Sequence, residues 1–174
     1  LDSVRDFYRL HLITRNRHGL PPQPFEFFKN VAEEIVAKGS GIVVSAHHEE
    51  EVIAASVFFH FGKEVIFKYG ASDLRYQNLR PNNLVMWEAL KWYRDQGLMA
   101  MNLGRTELEN GGLRHFKRGW GGKESRLSYF RYDIGRKAYL KRNPESDKFL
   151  RRLLAGSPAF VRRTIGRLFY RYAV

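Results

Sequence analysis

The stretch Val52-Ile53-Ala54-Ala55-Ser56-Val57-Phe58-Phe59-His60-Phe61, followed by Gly62-Lys63-Glu64 and then Val65-Ile66-Phe67-Lys68-Tyr69, decides the fold. A long apolar run rich in β-branched and aromatic residues reads as a strand. Gly62-Lys63-Glu64 reads as a tight turn, and the run after it as the antiparallel partner. Upstream, Ile42-Val43-Val44 supplies a shorter strand, and the polar cluster from His47 to Glu51 reads as an exposed turn between them. Strands joined by such short turns predict an antiparallel meander.

Helical spacing appears on both sides of the meander. Ser3 to Arg17 places Val4, Phe7, Tyr8 and His11 on one face, with Ser3 as the expected N-cap and Gly19-Leu20-Pro21-Pro22 as the stop. A second helix is expected from near Pro24, carrying Phe25, Phe28, Ala32, Ile35 and Val36, and ending at Gly39. Downstream, Asn82 or Asn83 is the expected cap of a helix whose stripe is Val85, Met86, Ala89, Leu90 and Tyr93. Leu98 to Leu103 then reads as a buried apolar strand, and strand–helix–strand of this length favours a crossover with parallel pairing. Leu108 to Arg118 is expected to be a short helix and Ser125 to Tyr132 a last strand. After Gly135, Asn143-Pro144 and Gly156-Ser157-Pro158 punctuate two basic helices. In the second, Val161, Ile165, Leu168, Phe169 and Tyr172 share one face while Arg163, Arg167 and Arg171 line another. The expected organisation is an α/β (α+β) domain over 1–140, with a mixed central sheet flanked by helices, followed by a basic helical extension over 141–174.

At 174 residues with 44% apolar side chains, the chain can bury a core, which excludes disorder. It contains no Cys, so disulfides, thiolate metal sites and Cys nucleophiles are excluded together. That absence fits a cytoplasmic location. No apolar run reaches the roughly 18–20 residues of a membrane span, and no secretory signal is present. The chain begins Leu1-Asp2 without a Met, so a piece of a longer protein is expected. The net charge of +12 is unevenly placed: residues 1–112 hold 13 Lys/Arg against 14 Asp/Glu, and residues 113–174 hold 17 against 4. The whole surplus sits in the last third, as it would for a footprint on phosphates or lipid headgroups.

His47-His48-Glu49-Glu50-Glu51 is the run richest in metal-ligand types, but adjacent residues in a turn do not converge, and no metal is expected. Neither G-x-x-x-x-G-K-[ST] nor G-x-G-x-x-G occurs. Arg75 to Asn83 leads into a helix N-terminus with two Arg and no Gly, which suits either an anion site or an ordinary capped loop. Asn102 to Gly112 follows the carboxyl end of a strand, a common ligand position where pairing is parallel. Leu113 to Gly122 then combines Gly, Phe116, Trp120, Arg114, Lys117 and Arg118 in one short stretch. For the basic helices, docking on this domain or on an absent one is expected, with a membrane-surface role through 147–172 as the other reading.

The order of elements resembles the GNAT acyl-CoA N-acyltransferase fold. Within it, Leu79-x-Pro81-Asn82-Asn83-Leu84, Trp87-Glu88-Ala89, Asn102-Leu103-Gly104-Arg105-Thr106, Asn110-x-Gly112-Leu113 and Phe116-Lys117-x-Gly119-Trp120-Gly121 occur in the order that resembles the FemAB-like branch, which includes peptidoglycan-bridge aminoacyltransferases. The resemblance implies transfer of an acyl or aminoacyl group to an amine acceptor such as a cell-wall or lipid-linked precursor. The implied donor is an aminoacyl-tRNA or acyl-CoA. It also implies a second, N-terminal GNAT-like half, and a location in the cytoplasm at the inner face of the membrane. The family Lys of the Phe-Lys element, associated with the charged tetrahedral intermediate, corresponds to Lys117.

Amide-forming acyl transfer needs a neutral attacking nitrogen, donors for the developing oxyanion and a proton for the leaving group. On that chemistry Lys117 serves the oxyanion or a donor phosphate, Glu107 or Glu109 the ammonium proton, and Tyr129 or Tyr132 the leaving group. Arg105, Asn110, Arg114, Phe116, Trp120, Arg75, Arg80 and Asn82 are the substrate-binding candidates. Two rival readings rest on the basic last third. One is an RNA-binding module that uses Phe116, Trp120, Tyr129 and Phe130 for stacking; the other is a membrane-peripheral domain.

Overall fold

Val4, Phe7, Leu10 and His11 recur at helical spacing, and these are the residues that helix α1 (Asp2–Arg17) buries. The helix starts before Ser3, which therefore lies inside the first turn and does not cap it. Helix α2 (Phe25–Val31) begins after Pro24 and runs into a π-turn, Ala32–Val36. Gly39 at φ 71° then releases the chain, with Ser40 N–H donating back to the Ile35 carbonyl (2.9 Å). The computed structural model describes residues 2–140, 154 and 156–170. The chain forms two units, Leu1–Gly104 with Leu154–Val174, and Arg105–Leu153.

The first unit contains the expected meander. Strands β1 (Gly41–His48), β2 (Glu51–Phe61) and β3 (Glu64–Ser72) pair antiparallel in that order. Strand β4 (Ala100–Asn102) adds to β3 in parallel, Glu64–Ile66 lying opposite Ala100–Asn102. The crossover and parallel pairing were therefore legible. Two details differ from expectation. His47 and His48 belong to β1, paired with Val52 and Glu51, so the polar turn shrinks to Glu49-Glu50 with Glu49 at φ 52°. Ladder hydrogen bonds hold these polar residues in the strand. β4 is shorter than Leu98–Leu103 and is not buried, because it pairs over only its three residues on one side.

β2 is buried from Val52 to Phe58 because both faces are covered over that stretch. Val57 joins Phe7, Leu10, Phe28 and Ala71 in the core beneath α1 and α2. Its neighbour Phe58 points the other way and meets Phe67 and Tyr93 at ring distances of 5.4 and 6.0 Å. Tyr93 comes from helix α3 (Pro81–Asp95), which also buries Val85, Met86 and Ala89. Its N-cap is Arg80 in the left-handed region (φ 52°, ψ 46°), with Pro81 at the first helical position. Asn82 and Asn83 thus lie inside the first turn and cap nothing. Pro81 fixes where the helix can start, and the Asn82 amide donates to Ser72 Oγ instead (3.0 Å).

The second unit contains helix α4 (Gly111–Gly119) and a two-stranded antiparallel ribbon, β5 (Arg131–Asp133) with β6 (Ala138–Leu140). The strand expected over Ser125 to Tyr132 survives only at its end, since residues 125–130 find no ladder partner among the described residues. The expected boundary near 140 meets residues 141–153, which lie outside the described residues, as does the first basic helix. The second basic helix is α5 (Ala159–Phe169), in the first unit. It packs through Arg162 and Gly166, which are buried, whereas Leu168, expected inside, is exposed. Gly166 decides this rotation: a Cβ there would stand 2.1 Å from the Pro22 carbonyl oxygen, so only glycine permits the approach.

His11 is the buried titratable group of this core. Its Nε2 meets Gln23 Oε1 at 2.7 Å, and burial pushes its pKa down to about 4. Between about pH 6.5 and 4 only the unfolded chain gains the imidazole proton, so this contribution is fully present above about pH 6.5 and is lost as the pH falls. Urea midpoints across that window should fall by the equivalent of about 3 kcal/mol for the native chain and by distinctly less for His11→Leu. Equal slopes for the two proteins would refute the assignment.

Candidate active site

β3 carries one residue more than its neighbour. Val57 pairs with Tyr69 and Phe58 with Phe67, which leaves Lys68 unpaired in a bulge. The consequence is visible in the side chains. Phe67 faces Phe58 on the α3 side, while Tyr69 faces Phe28 and Phe59 on the α1–α2 side (5.3 and 6.4 Å between rings). In a regular strand residues 67 and 69 would share a face. Burial and the neighbouring Tyr170 hydroxyl raise the Tyr69 pKa to about 12, so it stays a neutral phenol.

The bulge lies just past the point where the parallel ladder to β4 stops, at Ile66 and Asn102. β3 continues to Ser72, but no described strand pairs with it there on the β4 side. Gly104, at φ 73°, turns the chain away; its N–H donates to Asn102 Oδ1 (2.8 Å), and a Cβ on it would lie 3.1 Å from the Phe67 carbonyl oxygen. This leaves a notch at the carboxyl end of β4, beside the stretch of β3 from Lys68 to Ser72 that has no strand partner on that side among the described residues. Open carboxyl ends of this kind are where sheets with parallel pairing bind ligands, and bulged backbone can present N–H groups to a developing oxyanion. Sequence reasoning missed this stretch. The available signal was Gly70 within a strand pattern: a Cβ there would come within 2.8 Å of the Phe67 ring.

The exit from β3 is braced by carboxylates. Asp73 accepts from the Arg75 backbone N–H (2.9 Å) and so caps the 3₁₀ turn Leu74–Leu79. The Arg75 guanidinium donates to Asp73 Oδ2 (3.0 and 2.8 Å) and to Glu51 Oε1 (3.1 Å). Glu51 also accepts from Tyr76 Oη (2.8 Å) and Arg9 (3.2 Å), and the Tyr76 hydrogen bond leads the cations in holding its carboxyl below the usual range. Arg75 is thus committed as a strut between strand and turn. Arg80 caps α3, with Asn83 and Leu84 N–H groups on its carbonyl (3.0 and 3.4 Å). Asn82 reaches Ser72, whose N–H donates to Thr14 Oγ1 (3.3 Å), so α1, β3 and α3 are tied together at the notch.

In the second unit, Asn110 caps α4, its Oδ1 accepting from Leu113 N–H (3.1 Å). Lys117, one helical face along, donates from Nζ to Thr106 Oγ1 (2.7 Å) and the Arg105 carbonyl (3.1 Å), and burial lowers its pKa. The Arg105 guanidinium lies 5.4 Å from the Tyr129 ring centre and 3.4 Å from Glu107. Lys117, Arg105, Glu107 and Tyr129 are therefore brought together around one loop. Tyr129 comes from irregular backbone, not from the last strand, and Tyr132 on β5 packs edge-on against Tyr139 (5.2 Å). Arg114 and Arg118 both donate to Glu124, holding that carboxyl down at about 2. Phe116 and Trp120 meet edge to face (6.3 Å), and Glu109 is exposed. Among the described residues no group of three His, Asp or Glu side chains is placed to hold a metal.

A family profile described as an acetyltransferase (GNAT) domain matches residues 1–118. The chain belongs to this family. The matched stretch takes in the meander, the notch and α4 as far as Arg118. The GNAT chain is also 28% identical over 83 residues to a lipid II:glycine glycyltransferase of Staphylococcus saprophyticus, which covers 44% of this chain and 20% of that protein. The chain thus spans about a fifth of the length of that curated relative. Among solved structures it resembles FemX (TM-score 0.58, 16% identity, 69% of this chain and 48% of that one). It also resembles the aminoglycoside acetyltransferase AAC(6')-Iy bound to the bisubstrate analogue CoA-S-monomethyl-acetylneamine (TM-score 0.56, 16% identity, 70% and 93%). These structural likenesses establish the fold; the sequence likeness to the glycyltransferase supports the FemAB-like branch.

If Gly104 has to be glycine for the chain to leave β4 beside Phe67, Gly104→Val should lose about 1–2 kcal/mol in urea denaturation from left-handed strain alone. An unchanged midpoint would show that the notch does not depend on this turn.

Proposed function

We propose that this GNAT chain forms an amide by moving an acyl or aminoacyl group from an activated donor to an amine acceptor. The observation that carries the reading is the notch at the Lys68 bulge, where backbone N–H groups can meet the carbonyl of a bound donor as it becomes an oxyanion. The acceptor nitrogen attacks that carbonyl, the new C–N bond forms, the bond to the leaving group breaks, and the leaving group takes a proton. Independently of the notch, and on the family resemblance of the Phe116-Lys117 element, we assign Lys117 to the charged intermediate or to a donor phosphate, with Arg105 and Arg114 as anion binders. Glu107 or Glu109 accepts the ammonium proton and Tyr129 supplies one to the leaving group.

An acyl-CoA thioester is the donor we favour, because a CoA analogue occupies a GNAT neighbour of the same fold. Nothing in the comparisons supports an aminoacyl-tRNA, and they do not favour a purely RNA-binding module. The name of the glycyltransferase relative motivates a lipid-linked cell-wall precursor as acceptor. On this reading the reaction is cytoplasmic, at the inner face of the membrane. We further propose that a second GNAT-like half contributes to acceptor binding, as the 48% coverage of FemX suggests.

The test is mass spectrometry of amide products, using acyl-CoA and aminoacyl-tRNA in parallel with a panel of amine acceptors. We expect product from the CoA arm, and turnover about 10²-fold lower for Lys117→Ala with an unaltered circular dichroism spectrum. Turnover equal to the native chain would remove Lys117 from the mechanism, and product from the tRNA arm alone would overturn the donor assignment.

A further inference from the structure

α5 is held by one side and open on the other. Its inner side is fixed by Gly166 against Pro22 and by the buried Arg162, which donates to the carbonyls of Leu154 (3.2 Å) and Ser157 and to Asn16 Oδ1 (3.4 Å). Tyr170, just after the helix, meets the Phe27 ring at 5.1 Å. With that side pinned, the helical repeat sends Phe160, Arg163, Thr164, Arg167 and Leu168 outward along one stripe. Phe160 is 71% exposed and Leu168 61%, one near each end, with the two guanidinium groups between them. The Thr164 hydroxyl turns back to the Phe160 carbonyl (3.0 Å) and adds no further polarity to the stripe. The helix contains no acidic residue, and among the described residues neither Arg163 nor Arg167 has a carboxylate partner.

We propose that this stripe seats the protein on a membrane surface rich in anionic phospholipid. A headgroup phosphate complements each guanidinium, while the hydrocarbon just below the headgroups accepts Phe160 and Leu168. Apolar side chains at both ends of a short cationic row match a layered partner, polar outside and apolar beneath. Single-stranded nucleic acid would instead use planar rings along the row for stacking, and Leu168 offers none. The helix is already formed and docked, so binding requires no folding of the stripe.

The inference does not depend on the acyl-transfer reading, because its readout is partitioning. The whole chain is sedimented with vesicles of phosphatidylcholine alone and of phosphatidylcholine with phosphatidylglycerol. Three proteins are compared: the native chain, Arg163→Gln/Arg167→Gln, and the charge-matched control Arg126→Gln/Arg131→Gln. We expect partitioning that requires phosphatidylglycerol and falls roughly 30-fold for the α5 pair, with little change for the control and identical thermal melts. Phe160→Ser/Leu168→Ser should weaken the binding that survives at high salt. Equal partitioning of the α5 pair and the native chain, or equal losses for both Arg pairs, would overturn the proposal. So would binding of single-stranded RNA through Arg163 and Arg167 without vesicle binding.

Discussion

A strand with one residue more than its neighbour cannot stay in register along its whole length, and the surplus must be absorbed where the chain can spare its pairing. In β3 that residue is Lys68. Its position converts a uniform strand into two segments that show opposite faces, so Phe67 serves the α3 layer and Tyr69 the aromatic core beneath α1 and α2. The same residue marks where β4 lets go of β3. The switch of faces in the core and the end of the β3–β4 ladder therefore lie next to each other in β3.

The surrounding polar contacts serve that geometry. Thr14, Ser72 and Asn82 join three elements at the mouth, and Asp73, Arg75, Glu51 and Tyr76 brace the exit from β3. Exposed ion pairs of this sort contribute little stability singly, but a connected set around one strand end restricts where that end can point. The second unit shows the same habit on a smaller scale: Lys117 holds its own approach loop through Thr106 and the Arg105 carbonyl.

Much of this was legible in the sequence because it rests on periodicity and punctuation. Val52–Phe61 announced a strand, Gly39 marked a helix end, and the stretch from Arg75 to Asn83 led into a helix start even though the cap proved to be Arg80 and not an Asn. Around Lys117 the sequence showed only that residue types that bind anions are crowded into few positions; the contacts of its Nζ with Thr106 and the Arg105 carbonyl come from the fold. What escaped were features set by partners distant in sequence. The bulge at Lys68 depends on the register between β2 and β3, which no local pattern encodes. The rotation of α5 depends on how closely Gly166 can approach Pro22, so a hydrophobic stripe read from the helix alone put Leu168 on the wrong side. The short β5–β6 ribbon likewise owes its limits to pairing, not to the alternation that runs from Ser125 to Tyr132.

The charge asymmetry gains meaning from this division. The near-neutral part of the sequence, residues 1–112, builds the sheet and the notch, while the whole surplus of cations belongs to residues 113–174. The central claim is that the donor's reactive carbonyl binds at the bulged edge of β3. Amide hydrogen exchange with and without an unreactive acyl-CoA thioether tests it most directly. Within the first unit, new protection is expected at Phe67–Ser72 and at Asn102–Gly104. Protection that spares those amides and falls on other parts of the first unit, such as the turn at Glu49-Glu50, would contradict it.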